Sequence, residues 1–210
     1  MFRGFEVWGL IVKFLLKLGG VLLVALVLGL GSAWWLINAG LGGALQNGAW
    51  VTDPNIGSEQ AGPYSRAAVA RAGLLALNKS ETIYFTAFVD DAGQPLSTAC
   101  TYKLVGQPLA TRWWSITVYG ADHYLIPNSA NQFSQAMNTV TRDDQNGFTI
   151  FVSPDGSQEN GIPTGFSGSS SDTHQGAAFS LTLRLYNPEE ATYSNLGGIA
   201  LPTLTLEGCQ

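Results

Sequence analysis

The spacing of apolar and polar positions changes character twice along the chain. Residues 18–37 read LGGVLLVALVLGLGSAWWLI, apolar on every side, and no charged side chain occurs between Lys17 and Asp53. About twenty uncharged residues in a helix cross the roughly 30 Å hydrocarbon core of a bilayer, so this segment is expected to be a transmembrane helix. Trp34 and Trp35 then stand where an aromatic belt meets the headgroups. Residues 1–17 place Arg3, Glu6, Lys13 and Lys17 near one helical face, which suits a segment lying along the inner surface. An earlier start to the span, with both lysines snorkelling, fits the same pattern. Residues 38–63 are rich in Gly, Asn and Pro and read as an irregular tether. Ala67, Ala70, Leu74 and Leu77 then form a stripe at helical spacing, which predicts a helix over 65–78 with Ser65 as its N-cap.

Beyond residue 80 the period becomes two. Strands are expected over 81–89, 99–105, 111–119, 123–126, 148–152, 178–186 and 199–206. The run ETIYFTAFV (81–89) is apolar on both parities, the mark of a central strand. In 178–186 the parities separate: Phe179, Leu181, Leu183 and Leu185 on one face, Ser180, Thr182, Arg184 and Tyr186 on the other. Asp90-Asp91-Ala92-Gly93 turns the chain between the first two strands. Short strands, turn signals and one flanking helix over residues 64–210 predict a mainly β domain built as a β-sandwich. Residues 153–176 are Gly/Ser-rich, contain Ser169-Ser170-Ser171, and read as a mobile loop.

Charge sharpens this picture. From residue 18 onward seven basic residues face fourteen acidic ones, a net −7. Such a balance repels phosphate backbones, and the basic residues outside the N-terminal segment do not cluster, so nucleic acid is excluded as a partner. Arg3, Lys13 and Lys17 all precede the apolar run, and the next basic residue is Arg66. The positive-inside rule puts the N-terminus in the cytoplasm and the β domain outside, in the periplasm of a bacterial-type inner membrane. The competing reading is a cleaved signal peptide with Gly31-Ser32-Ala33 as its small-residue site, against which stands the length of the apolar run. An oxidising compartment favours a disulfide between Cys100 and Cys209 over two free thiols.

The richest candidate chemistry lies on the strand 111–119. Trp114, Ile116 and Val118 are core-like, whereas Trp113, Ser115, Thr117 and Tyr119 mix aromatic faces with hydroxyls, as ligand-binding surfaces do. Arg184 and Tyr186 on the later strand have similar character. The alternative is structural: Trp113 and Tyr119 pack under loops or the helix, and Arg184 pairs with a carboxylate. The two histidines each have an aspartate close by, in Asp122-His123 and Asp172-Thr173-His174. Imidazole with carboxylate binds divalent metal or performs acid/base chemistry, so Asp122, His123 and His174 form a second candidate set, though its two halves lie far apart in the chain. The sequence contains no G-x-S-x-G elbow, H-E-x-x-H pair or phosphate-binding glycine loop. No catalytic set is complete, and no cofactor is expected.

Four segments together resemble a known family: RAGLLALNKSETIYFTAF (71–88), DAGQPL (91–96), RWWSITVYGADHYLIPN (112–128) and LRLYNPEE (183–190). They are similar to domain of unknown function family 1214, over roughly residues 47–210. The resemblance implies a jelly-roll-like β-sandwich and brings no activity or catalytic residues; larger members carry a further uncharacterised domain upstream. One motif departs from the family, which tends to have Asn-Trp-Leu-Pro where this chain has Asn160-Gly161-Ile162-Pro163. The missing tryptophan removes a ring that a pocket or packing contact there would use.

The expectation is thus a single-pass membrane protein with a non-catalytic module outside, binding a saccharide, a lipid headgroup or an envelope protein. Two other readings remain: a membrane-tethered hydrolase or metal enzyme, and an accessory subunit of a membrane complex that uses Gly19, Gly20, Gly29 and Gly31 for close helix packing.

Overall fold

The structure, a computed structural model, describes residues 3–38, 44–166 and 176–210. It divides into two compact units, Met1–Gly42 and Gly43–Gln210.

The first unit is one helix, α1 (Arg3–Asn38). Within it Trp8–Leu36, 29 residues, is long and apolar enough to cross a membrane, as an anchor or a signal sequence would be, and none of that stretch is buried. At 1.5 Å per residue it reaches about 43 Å, more than a bilayer core needs. The helix does not break near residue 18. No proline interrupts it, and isolated glycines cost only about 1 kcal/mol each against alanine. Lys13 and Lys17 therefore belong to the same continuous helix as residues 18–37.

The second unit is a two-sheet β-sandwich, compatible with jelly-roll winding. Its first sheet runs in the order β1 (Leu45–Asn47), β2 (Trp50–Thr52), β3 (Thr82–Ala87), β9 (Phe179–Pro188), β5 (Thr111–Gly120) and β6 (Ser134–Ala136). The second runs β10 (Thr203–Cys209), β4 (Cys100–Gly106), β7 (Phe148–Ser153) and β8 (Gly161–Pro163). Neighbouring strands are antiparallel except β7 and β8, which run parallel. The core between the sheets takes Phe85, Trp114, Ile116, Leu181 and Leu183 from the first and Tyr102, Leu104, Phe148, Ile150 and Leu204 from the second. Aromatic contacts cross it: Trp114 stacks on Phe148 with centroids 4.5 Å apart, and Tyr102 meets Phe179 edge-on at 5.6 Å. Burial pushes the Tyr102 phenol above its ordinary pKa, with Asp90 adding to the rise, while the Ser97 N–H it accepts pulls the other way. Cys100 and Cys209 face each other across β4 and β10 and are joined by a disulfide.

Four expectations change. The tether expected over 38–63 contains β1 and β2, and Trp50, 1% exposed, donates its indole N–H to Pro202 O at 2.7 Å. A three-residue strand shows no periodicity of its own, so only its pairing reveals it. The helix expected over 65–78 is α2 (Pro63–Arg71), with Gly62 at the N-cap and Pro63 in the first turn in place of Ser65. It ends because Gly73 adopts φ +62, and α2 contains no buried residue. The strand expected over 123–126 is a turn in which Gly120 N–H bonds Tyr124 O and His123 takes φ +68. Finally, the loop expected over 153–176 is partly built into the second sheet. Ile162 and Thr164 are fully buried, and Thr164 Oγ1 donates to Thr98 O at 2.7 Å; residues 167–175, with the serine run, lie outside the described residues.

Candidate binding face

Strands β5 and β9 pair over nearly their whole length, with Trp113 opposite Tyr186, Ser115 opposite Arg184, Thr117 opposite Thr182 and Tyr119 opposite Ser180. Cross-strand partners share a face. All six residues expected to form a surface, Trp113, Ser115, Thr117, Tyr119, Arg184 and Tyr186, therefore lie together on the side of the sheet away from the core. Their inward neighbours Trp114, Ile116, Val118, Leu183 and Leu185 are buried. Ser115 and Thr117 are buried too, whereas Trp113, Tyr119, Arg184 and Tyr186 are half-exposed.

Arg184 organises the middle of this face. Its Nη1 donates to Thr117 Oγ1 at 3.2 Å and its Nη2 to Tyr119 Oη at 2.8 Å. The guanidinium carbon lies 5.5 Å from the Tyr119 ring centroid and 6.0 Å from that of Tyr84, within the range in which ring faces attract a cation. Among the described residues no carboxylate pairs with it, so the ion pair of the structural alternative is absent there. The other part of that alternative is partly realised: Trp113 packs against Tyr186 with centroids 5.0 Å apart and donates its indole N–H to Asn138 Oδ1 at 3.0 Å.

The sequence reading missed three members of this surface. Tyr84 on β3 is the cross-strand partner of Arg184, and its hydroxyl accepts the Leu77 N–H at 2.8 Å, so the segment after α2 covers it. Thr82 lies opposite Tyr186, is buried, and its Oγ1 has no hydrogen-bond partner among the described residues. Asn138 orients Trp113 from the turn after β6. The run 81–89 identified β3 as a strand, but nothing local announces that β9, about a hundred residues later, pairs with it.

Of the second candidate set, Asp122 and His123 are among the described residues. Asp122 Oδ1 accepts the Tyr124 N–H at 3.1 Å within the turn after β5, and His123 is in the same turn. Asp172 and His174 lie outside the described residues. Among the described residues no group of three or more His, Cys, Asp and Glu side chains is arranged to hold a metal ion. Beside α2 a cavity of about 480 Å³ is lined by apolar residues, among them Ile56, Val69, Leu74 and Leu75.

The crystal structure of the VPA0106 protein from Vibrio parahaemolyticus matches this fold with a TM-score of 0.53 at 22% identity, over 74% of this chain and 39% of that one. The chain thus spans well under half of that protein, and the likeness is one of fold alone. The crystal structure of an uncharacterized protein from Burkholderia cenocepacia gives a TM-score of 0.38 at 11% identity, over 60% of this chain and 29% of that one, too distant to argue from. No curated protein matches. The family model described as protein of unknown function (DUF1214) matches residues 81–190, from the start of β3 through β9. That span is more than half of the 210 residues and includes Tyr84, Trp113, Tyr119 and Arg184. The chain belongs to the DUF1214 family.

Proposed function

We propose that this protein is a membrane-tethered module that acts by binding. Its helix, residues 18–37 and the apolar residues before them, anchors it in the inner membrane with the N-terminus in the cytoplasm, and residues 64–210 stand in the periplasm. Arg3, Lys13 and Lys17 toward the N-terminal end of the helix, with no further basic residue before Arg66, and the disulfide beyond it support that orientation. The ligand sits on the outward face of β5 and β9, which presents rings, hydroxyls and one cation to an envelope saccharide. The observation that carries this reading is Arg184, a half-buried residue whose guanidinium is held by two hydroxyls and two rings with no carboxylate paired to it among the described residues. A residue serving only the fold would be cheaper as a neutral one, because desolvating an unpaired charge costs several kcal/mol.

Two measurements test the two halves of the reading. Protease added to intact spheroplasts should digest the β domain and spare the helix; digestion only after lysis would reverse the orientation. Envelope glycans presented on an array should retain the detergent-solubilised protein, and Trp113→Ala should weaken retention at least about fivefold, because aromatic platforms supply about 1 kcal/mol or more of such contacts. Retention unchanged by that substitution would remove the face from the function.

A further inference from the structure

The charge on this face selects among saccharides. A guanidinium has five N–H donors, and Arg184 commits two of them to Thr117 and Tyr119; among the described residues the other three have no acceptor. Hydroxyls and ring faces orient the cation without neutralising it, so the face keeps a positive charge in a domain that is otherwise acidic. The fork that guanidinium presents matches a carboxylate in two parallel hydrogen bonds.

The aromatic pair shares the face with that fork but lies the other way along the strands, because Arg184 reaches toward Thr117 and Tyr119. Tyr186 is two residues from Arg184 along β9, and Trp113 stands beside Tyr186 on β5. Alternate residues of a strand are separated by about 7 Å. An oligosaccharide of carboxylated pyranoses spans a gap of at least that size, with one charged group on the fork and the apolar face of a ring on the aromatic pair. A neutral sugar would use the rings and leave the guanidinium unpaired. A phosphate ion would use the guanidinium and leave the rings bare.

We infer that the ligand is an acidic oligosaccharide of the uronic-acid type, one carboxylate bound by Arg184 and a sugar ring resting on Trp113 and Tyr186. This assignment rests on the reading of the face as a binding surface, and the experiment separates the two. The full-length protein in detergent is titrated calorimetrically with trigalacturonate, with its methyl ester and with inorganic phosphate. Trigalacturonate should bind at least tenfold more tightly than the ester. Arg184→Met should erase that preference, Arg184→Lys should restore only part of it, and Trp113→Ala should weaken acid and ester by similar factors. Circular dichroism establishes that each variant is folded. Acid and ester binding equally well, both weakened by Trp113→Ala, would overturn the acidic assignment and leave the binding face standing. Phosphate displacing trigalacturonate at equal concentration, with Trp113→Ala silent, would reduce the site to a simple anion site and overturn the saccharide. Absence of trigalacturonate binding would overturn the assignment outright.

Discussion

Asp91 shows how one side chain in a turn joins two sheets. Its Oδ1 accepts the Ala49 N–H at 3.1 Å, at the entry to β2, and its Oδ2 accepts the Leu204 N–H of β10 at 2.7 Å. The Asp91 N–H returns a bond to Leu204 O at 2.9 Å. The preceding Asp90 shapes the turn itself, its Oδ1 accepting the amides of Ala92 and Gln94. The turn was legible from Asp-Asp-Ala-Gly alone, because such residues favour it locally; the bridge was not, because Leu204 is remote in sequence. Hydrogen bonds to a charged acceptor contribute about 1.5–3 kcal/mol each. Asp91→Ala should therefore lower the unfolding free energy by about 3 kcal/mol in urea denaturation, the low end for two such bonds because Asp91 is exposed, whereas Asp91→Asn, which keeps one acceptor, should cost about half as much. An unchanged midpoint for the alanine variant would mean that the bridge adds nothing.

Among the elements, β8 shows why position 161 holds glycine. Asn160, at φ +56, holds β8 in place: its Oδ1 accepts the Thr141 N–H at 2.8 Å, and its Nδ2 donates to Thr141 O at 3.0 Å and Thr149 O at 2.8 Å. At the next position a Cβ would collide with the carbonyl group of Gly156. The loop from 153 to 160, closed by Ser153, Asp155 and Gln158, thus crosses the space that a tryptophan side chain at 161 would have to enter. Gly161→Ala should cost about 1–3 kcal/mol by overpacking. Gly197→Ala, where a Cβ meets nothing within 4 Å, should stay within about 0.5 kcal/mol in the same thermal melts. Equal melting temperatures for the two variants would refute the close approach. The alternation of β5 and β9 was readable because each strand is ten residues long and sorts its apolar and polar positions by face. The short strands β1, β6 and β8 were not, since three residues fit either period.

For the whole β unit, the disulfide closes about two thirds of its length, joining positions 109 residues apart. In the chain-entropy model a loop of that size stabilises by about 4–5 kcal/mol, a large share of the 5–15 kcal/mol typical of a domain. Replacing both cysteines by serine should lower the unfolding free energy by about that amount, and reducing agent should destabilise the wild type but not the double variant. A wild type indifferent to reductant would show that the bond adds nothing to stability.

The local properties of this chain follow from sequence because they depend on neighbours. A long uncharged run makes an apolar helix, alternation makes β5 and β9, and Asp-Asp-Ala-Gly makes a turn. What the tertiary structure alone decided is which distant segments meet: β3 and β5 on either side of β9, the loop of 153–160 over Gly161, the Asp91 bridge. The candidate face divides the same way. Its residue types on β5 and β9 were legible from alternation. That Arg184 lies between the rings of Tyr84 and Tyr119, bonded to hydroxyls and to no carboxylate among the described residues, depends on strand pairings between segments about 65 to 100 residues apart. Local periodicity carries no information about such pairings.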